Sequence, residues 1–338
     1  MPANACVYGC QGMELLADER AFFREARPFG FILFARNCND HRQIAALCAD
    51  LRDCVGDNAP ILIDQEGGRV ARLKPPNWRA RPAAGRIGEL YATDAAQGRE
   101  AAYLCARLIA HDLREVGVTV DCAPVLDVPV AGAHDIIGDR AYSSDPAVVI
   151  ELGRAAIEGF LEGGVLPVIK HMPGHGRARA DSHLELPRVD ASPEELSATD
   201  FVTFRSLNFA PIAMTAHVVY VAFDAQRPAT TSPKIIRDII RGEIGFEGLL
   251  VSDDLSMNAL EGPLSVRARN ALFAGCDIAL HCNGRMDEMK DVAVEARPLE
   301  AESLTRAQAA LAHLNEAPGE LDVEAGEARL AELVGVVA

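Results

Sequence analysis

The feature that most constrains this chain is a series of about eight short apolar runs, rich in Val, Ile and Leu. They lie near Ala5 to Cys10, Phe29 to Phe34, Pro60 to Asp64, Val118 to Ala123, Leu166 to Lys170, Ile212 to Ala216, Leu249 to Asp253 and Asp277 to His281. Each run is continuous in hydrophobicity rather than alternating, so a strand built from it needs cover on both faces. Between most of them the apolar residues recur at helical spacing, as over Asp40 to Val55, Asp94 to Val116, Asp145 to Gly163 and Ser232 to Ile244. Ser192-Pro193 and Ser232-Pro233 each offer an N-cap followed by a proline whose missing N–H costs nothing in the first turn. The repeated β, α order within 338 residues, with no Gly/Ser/Pro-rich linker, predicts an α/β fold of the (β/α)8, TIM-like barrel type. A doubly wound sheet is the alternative. We expect a single domain over 1–338, with the barrel at about 1–285. The tail from about 286 to 338 is rich in Ala, Glu and Leu and should be helical, packing outside the barrel or closing its N-terminal end.

Composition narrows the function. Asp and Glu outnumber Lys and Arg by 49 to 33, a net charge of −16, which argues against a nucleic-acid partner. The nine cysteines are scattered without a C-x-x-C pair, the pattern of reduced thiols in a cytosolic protein. Met1 to Glu14 has neither a basic segment nor a long apolar one, and no stretch offers about 18 uncharged apolar residues. A cytoplasmic location without membrane contact is expected.

Polar residues cluster where the apolar runs end. Asp64-Gln65-Glu66-Gly67-Gly68-Arg69 follows the third run, Asp127 closes the loop after the fourth, and Lys170-His171-Met172-Pro173-Gly174-His175-Gly176 follows the fifth. His217 follows the sixth run, Ser252-Asp253-Asp254 the seventh and His281-Cys282-Asn283-Gly284 the eighth. In a barrel these ends converge on the C-terminal face, where such folds hold their sites.

The strings DQEGGRVAR (Asp64 to Arg72), IIGDRAY (Ile136 to Tyr142), KHMPGHG (Lys170 to Gly176) leading to DSH (Asp181 to His183), MTAHVVY (Met214 to Tyr220) and VSDDLSM (Val251 to Met257) occur in that order. Together they resemble the bacterial β-N-acetylhexosaminidases of glycoside hydrolase family 3. The resemblance implies a retaining glycosidase that removes a non-reducing terminal β-linked N-acetylglucosamine, the substrate being an anhydro-muropeptide of peptidoglycan recycling. It also implies Asp253 as nucleophile, His183 oriented by Asp181 as acid/base, and Asp64, Arg72, Arg140, Lys170 and His171 as contacts to the sugar hydroxyls. These roles meet chemical need: a carboxylate attacks the anomeric carbon, and an imidazole that titrates near neutrality can give and then take the proton.

Other readings stand beside these. Asp253 could cap the following turn, a role better suited to Asp254. His183 and Arg72 could be solvated surface residues, and Glu66 merely an arginine's partner. His175 and His217 read as readily as pocket lining as they do as ligands. The Arg177 to Ala180 loop tip could favour an anionic leaving group or be solvated. The segment from Met172 to Pro187 is long for a strand-to-helix loop and is expected to move. A family 3 phosphorylase or β-glucosidase is the runner-up activity. A metal-dependent hydrolase lacks His-x-His or H-E-x-x-H spacing, so neither metal nor cofactor is expected. The expected partner is a small carbohydrate, and the chain is expected to act as a monomer.

Overall fold

A computed structural model describes residues 2–56, 58–178 and 186–335. The eight apolar runs form eight parallel strands: β1 (Asn4–Gly9), β2 (Pro28–Leu33), β3 (Ile61–Ile63), β4 (Val120–Asp121), β5 (Leu166–Met172), β6 (Ile212–Thr215), β7 (Leu249–Val251) and β8 (Ala279–His281). Each strand pairs with its sequence neighbour, and β1 also pairs with β8. A parallel bridge from Val251 to Ile278 joins β7 to β8 and closes the barrel. Register decides which residues face inward. Val7, Ile32, Leu62, Val120, Val168, Met214, Val251 and Leu280 share one interior cluster. Alternate residues such as Tyr8, Phe31, Ile63 and Ile169 pack outward under the helices. Both faces are therefore dry, as the continuous runs require.

The helices begin where side chains can cap them. Asp40 accepts the N–H of Gln43 ahead of His41–Val55, Asp94 those of Ala96 and Gln97 ahead of Ala95–Glu115, and Asp145 that of Ala147 ahead of Pro146–Glu162. Ser192 caps Pro193–Ser206 through the N–H of Glu195. The helix expected over Ser232 to Ile244 starts on its serine and proline, but departs from α geometry. Its core, Ile235–Glu243, is a π-helix, with the N–H of Ile244 donated five residues back to Ile239. The wider turn lets Ile235, Ile236, Ile239 and Ile240 all be buried together.

The tail takes both of the positions expected for it. Helix Ala301–Ala312 sends Ala307 and Ala310 into the interior cluster, and the N–H of Leu299 reaches the carbonyl of Ala3, so this helix stops the N-terminal end of the barrel. Helix Val323–Val334 lies outside on Ala95–Glu115, held by Arg81 to Glu327 at 2.8 Å and by Arg329 forked onto Glu100 at 2.7 and 2.8 Å. All nine cysteines are free thiols, seven of them buried. No helix among the described residues is long and apolar enough to cross a membrane.

Candidate active site

At the C-terminal ends of the strands a cavity of about 930 Å³, including its open mouth, brings together Asp64, Glu66, Arg72, Arg140, Lys170, His171 and Asp253. Six of these are residues that the sequence singled out for the site. The other two, Asp181 and His183, lie outside the described residues. A larger cavity, about 1180 Å³, opens at the opposite end near Arg52, Thr119 and Leu314, but none of its described lining residues is a carboxylate.

One wall is a chain of charges. Lys170, on β5 and almost fully buried, places its Nζ 2.9 Å from Asp64 and 2.6 Å from Glu66. Arg72 meets the other oxygen of Asp64 at 3.1 Å, and Arg140 grips Glu66 with two bonds of 2.9 and 2.8 Å. Burial alone would raise both carboxylates. Lys170 and Arg72 override it at Asp64, and Lys170 and Arg140 at Glu66, so each is held below the usual carboxylate range. The same pairing reverses the effect of burial on Lys170 and raises it. The wall is therefore charged throughout, and its oxygens and N–H groups are already oriented. Such an array selects for hydroxyls and penalises an analogue that lacks one.

The loop from Asp64 to Leu73 is fixed from within. The side-chain Oε1 of Gln65 accepts the N–H groups of Arg72 and Leu73 at 2.7 and 3.0 Å, and its Nε2 donates to the carbonyl of Leu73. Beneath it, Asp121 on β4 accepts the N–H of Gln65 at 2.9 Å. Burial pushes the Asp121 carboxyl up to about 8. Arg69 donates to the carbonyls of Asp135, Ile136 and Ile137 and meets Asp139 at 2.8 Å, which holds the loop that carries Arg140.

Asp127, fully buried, holds the second element of the site. One oxygen lies 2.7 Å from Nδ1 of His171, and the other accepts the N–H of His175 at 2.6 Å. Burial opposes the charge on Asp127, and His171 overcomes that opposition, so its carboxyl lies low. The pairing fixes the ring of His171 at the cavity wall. His175 packs edge-on against His171, and burial, followed by that neighbour, pushes it down to about 4.

Asp253 lies two residues beyond β7 and lines the cavity floor. Its Oδ1 accepts the N–H of Asp254 at 2.8 Å. Burial raises it, but His217, His171 and that N–H outweigh burial, so its carboxyl lies below the ordinary value. Asp254 is occupied differently. Its carboxylate accepts the N–H and the hydroxyl of Ser256 and the N–H of Cys282, which is the turn-capping role. His217 is fully buried between Thr230 and the carbonyl of Asp254, so it supports the site from behind.

Two expectations change. Arg177 is neither solvated nor directed at a leaving group, because its guanidinium meets Asp200 and Glu195, both at 2.6 Å, and Thr199 at 2.8 Å. The first half of the loop expected to move, Met172 to Ala178, is packed. Gly176 and Ala178 accept the N–H groups of Val130 and His134, and the hydroxyl of Tyr220 donates to Gly174. Sequence reasoning also undervalued Asp127 and Glu66. Both sit at strand ends, and that position was the available signal. Thr230 and Asp121 carried no such signal.

A parallel barrel whose strand ends gather carboxylates and cationic hydrogen-bond donors around one cavity has a site that can hold a sugar by its hydroxyls. The model of the glycosyl hydrolase family 3 N-terminal domain matches residues 16–314, and the chain belongs to that family, in its β-hexosaminidase type. It is 42% identical over 279 residues to a β-hexosaminidase of Alkalilimnicola ehrlichii, covering 81% of this chain and 79% of that one. It superposes on native NagZ of Neisseria gonorrhoeae with a TM-score of 0.88 and 31% identity, covering 100% of this chain and 99% of that one. NagZ of the same organism in complex with N-trifluoroacetyl-D-glucosamine gives a TM-score of 0.88 at 30% identity, with the same coverage.

Proposed function

We propose that this chain is a retaining exo-β-N-acetylglucosaminidase that acts, as a monomeric single-domain enzyme, on N-acetylglucosamine-bearing anhydro-muropeptides in the cytoplasm. The observation that carries the proposal is the placement of Asp253. It is a carboxylate kept charged at the floor of the cavity, facing a wall already arranged for sugar hydroxyls. Asp64, Lys170, Arg72, Arg140 and His171 hold the terminal sugar. Asp253 attacks the anomeric carbon as the bond to the leaving oxygen breaks, and His183, oriented by Asp181, gives that oxygen its proton. The now neutral imidazole takes a proton from water, whose oxygen attacks the same carbon and releases the Asp253 carboxylate. Support for the substrate comes from the likeness to β-hexosaminidases and to a protein that binds an N-acylglucosamine analogue. The test is to trap the intermediate with a 5-fluoro N-acetylglucosaminyl inhibitor and digest the product. The added mass should fall on the peptide containing Asp253. Label on Asp254 or Asp64 would overturn the assignment.

A further inference from the structure

The segment from Pro228 to Ser232 belongs to none of the strings that point to the site, yet one of its side chains reaches beneath the catalytic strand ends. Ala229–Thr231 forms a turn of 3-10 helix, anchored by the N–H of Ala229 on the carbonyl of Val218. This buries Thr230 completely, behind the cavity rather than in it. Its Oγ1 lies 2.7 Å from Nδ1 of His217, 2.7 Å from Oγ1 of Thr215 and 3.1 Å from the carbonyl of Ala216.

Two of those contacts lead to the same dipeptide. Thr215 Oγ1 accepts the N–H of Asp253 at 3.3 Å, and Nε2 of His217 lies 3.0 Å from the carbonyl of Asp254. A carbonyl can only accept, so Nε2 of His217 carries a hydrogen toward Asp254. The N–H of Asp253 donates to Thr215, Thr215 pairs with Thr230, Thr230 pairs with Nδ1 of His217 and donates to the carbonyl of Ala216, and Nε2 of His217 meets the carbonyl of Asp254. The loop of hydrogen bonds starts and ends on Asp253-Asp254, and Thr230 is its middle member.

We propose that Thr230 is a positioning residue for the reaction at Asp253. It fixes the backbone on both sides of the nucleophile so that the carboxylate meets the anomeric carbon at attacking distance. Removing its hydroxyl strands Thr215 and His217 together, and both holds on the dipeptide slacken at once. A buried polar atom left without its partner is costly, so the surroundings rearrange rather than wait.

The inference rests on Asp253 being the nucleophile. Thr230→Val keeps the shape and removes the hydroxyl, whereas Thr230→Ser keeps the hydroxyl. Intact-mass counting of the trapped 5-fluoro glycosyl-enzyme normalises every rate to competent sites, so loss of folded protein drops out. Per competent site, Thr230→Val should slow single-turnover glycosylation by about 10- to 100-fold, with substrate Kd within about threefold, as expected for a misplaced reacting group. Thr230→Ser should recover most of that rate. Thr215→Val cuts only the arm to the Asp253 N–H and should act in the same direction less strongly, and it carries the test if the Thr230→Val protein does not fold. The proposal is overturned if the glycosylation rate per competent site is unchanged, if substrate Kd rises while that rate holds, or if serine fails to recover the rate. Label on a residue other than Asp253 in the unsubstituted protein would instead remove the underlying reading, before any variant is compared.

Discussion

Replacing Lys170 with Met tests whether the charged wall of the cavity is a coupled unit. The ammonium touches Asp64 at 2.9 Å and Glu66 at 2.6 Å, and it is almost fully buried. Methionine fills a similar volume but leaves each carboxylate with one arginine instead of two cationic partners. Breaking a buried ion pair from one side costs about 3–5 kcal/mol, because the remaining charge keeps its desolvation penalty. With an unfolding entropy of about 2.1 cal/mol/K per residue, 338 residues give roughly 0.7 kcal/mol/K, so a loss of about 4 kcal/mol should lower Tm by about 6 °C. Adding Glu66→Gln to Lys170→Met removes one of the two stranded charges and should restore part of the loss. Calorimetry on wild type, both single variants and the double variant closes the cycle. A Lys170→Met protein that melts within 1 °C of wild type, or a double variant showing no favourable coupling, would refute the reasoning.

Other outcomes follow from the same geometry. Burial pushes Asp121 up to about 8, against an ordinary 3.8, so between those values the folded state holds a proton that the unfolded chain has released, and stability falls as pH rises through that window. Asp121→Asn keeps the acceptor for the Gln65 N–H without the titration. It should melt above wild type at pH 8 and alongside it near pH 4, and parallel melting curves at both would contradict this. His183→Ala should cost about two to four orders of magnitude on substrates with a poor leaving group, as for a lost general acid, and much less in glycosylation by an activated aryl glycoside. Asp181→Ala should show the same dependence more mildly. A uniform loss at His183 in single-turnover rates would make it a binding residue.

The barrel was legible because burial on both faces keeps the strands apolar until the last residues at their C-terminal ends. Both boundaries and chemistry therefore appeared in the same places, as at Ile63-Asp64 and Val251-Ser252-Asp253. What the sequence hid depends on distance along the chain. Asp127 fixes His171 across 44 residues, and Thr230 reaches His217 across 13, through a turn that carries no periodic signal. The π-helix was hidden for a different reason. Its isoleucines fit helical spacing, and only the packing beneath them decides how wide the turns are. Arg177 looked free because its partners, Glu195 and Asp200, sit on the next helix.

The stopper helix also bears on synthesis. Strand β1 is emitted before the other seven barrel strands, yet one of its edges is completed only by β8, and Asn4 is bridged by Pro298, 294 residues later. At about 5–20 residues per second, roughly 15–60 s pass between the two on the ribosome. Throughout that interval β1 can be sealed by β2 on one side alone. The exposed edge, Asn4–Gly9, reads NACVYG and carries no charge to repel a strand from another chain. The residues that close the barrel floor therefore also end the period in which a nascent chain is most exposed to its neighbours.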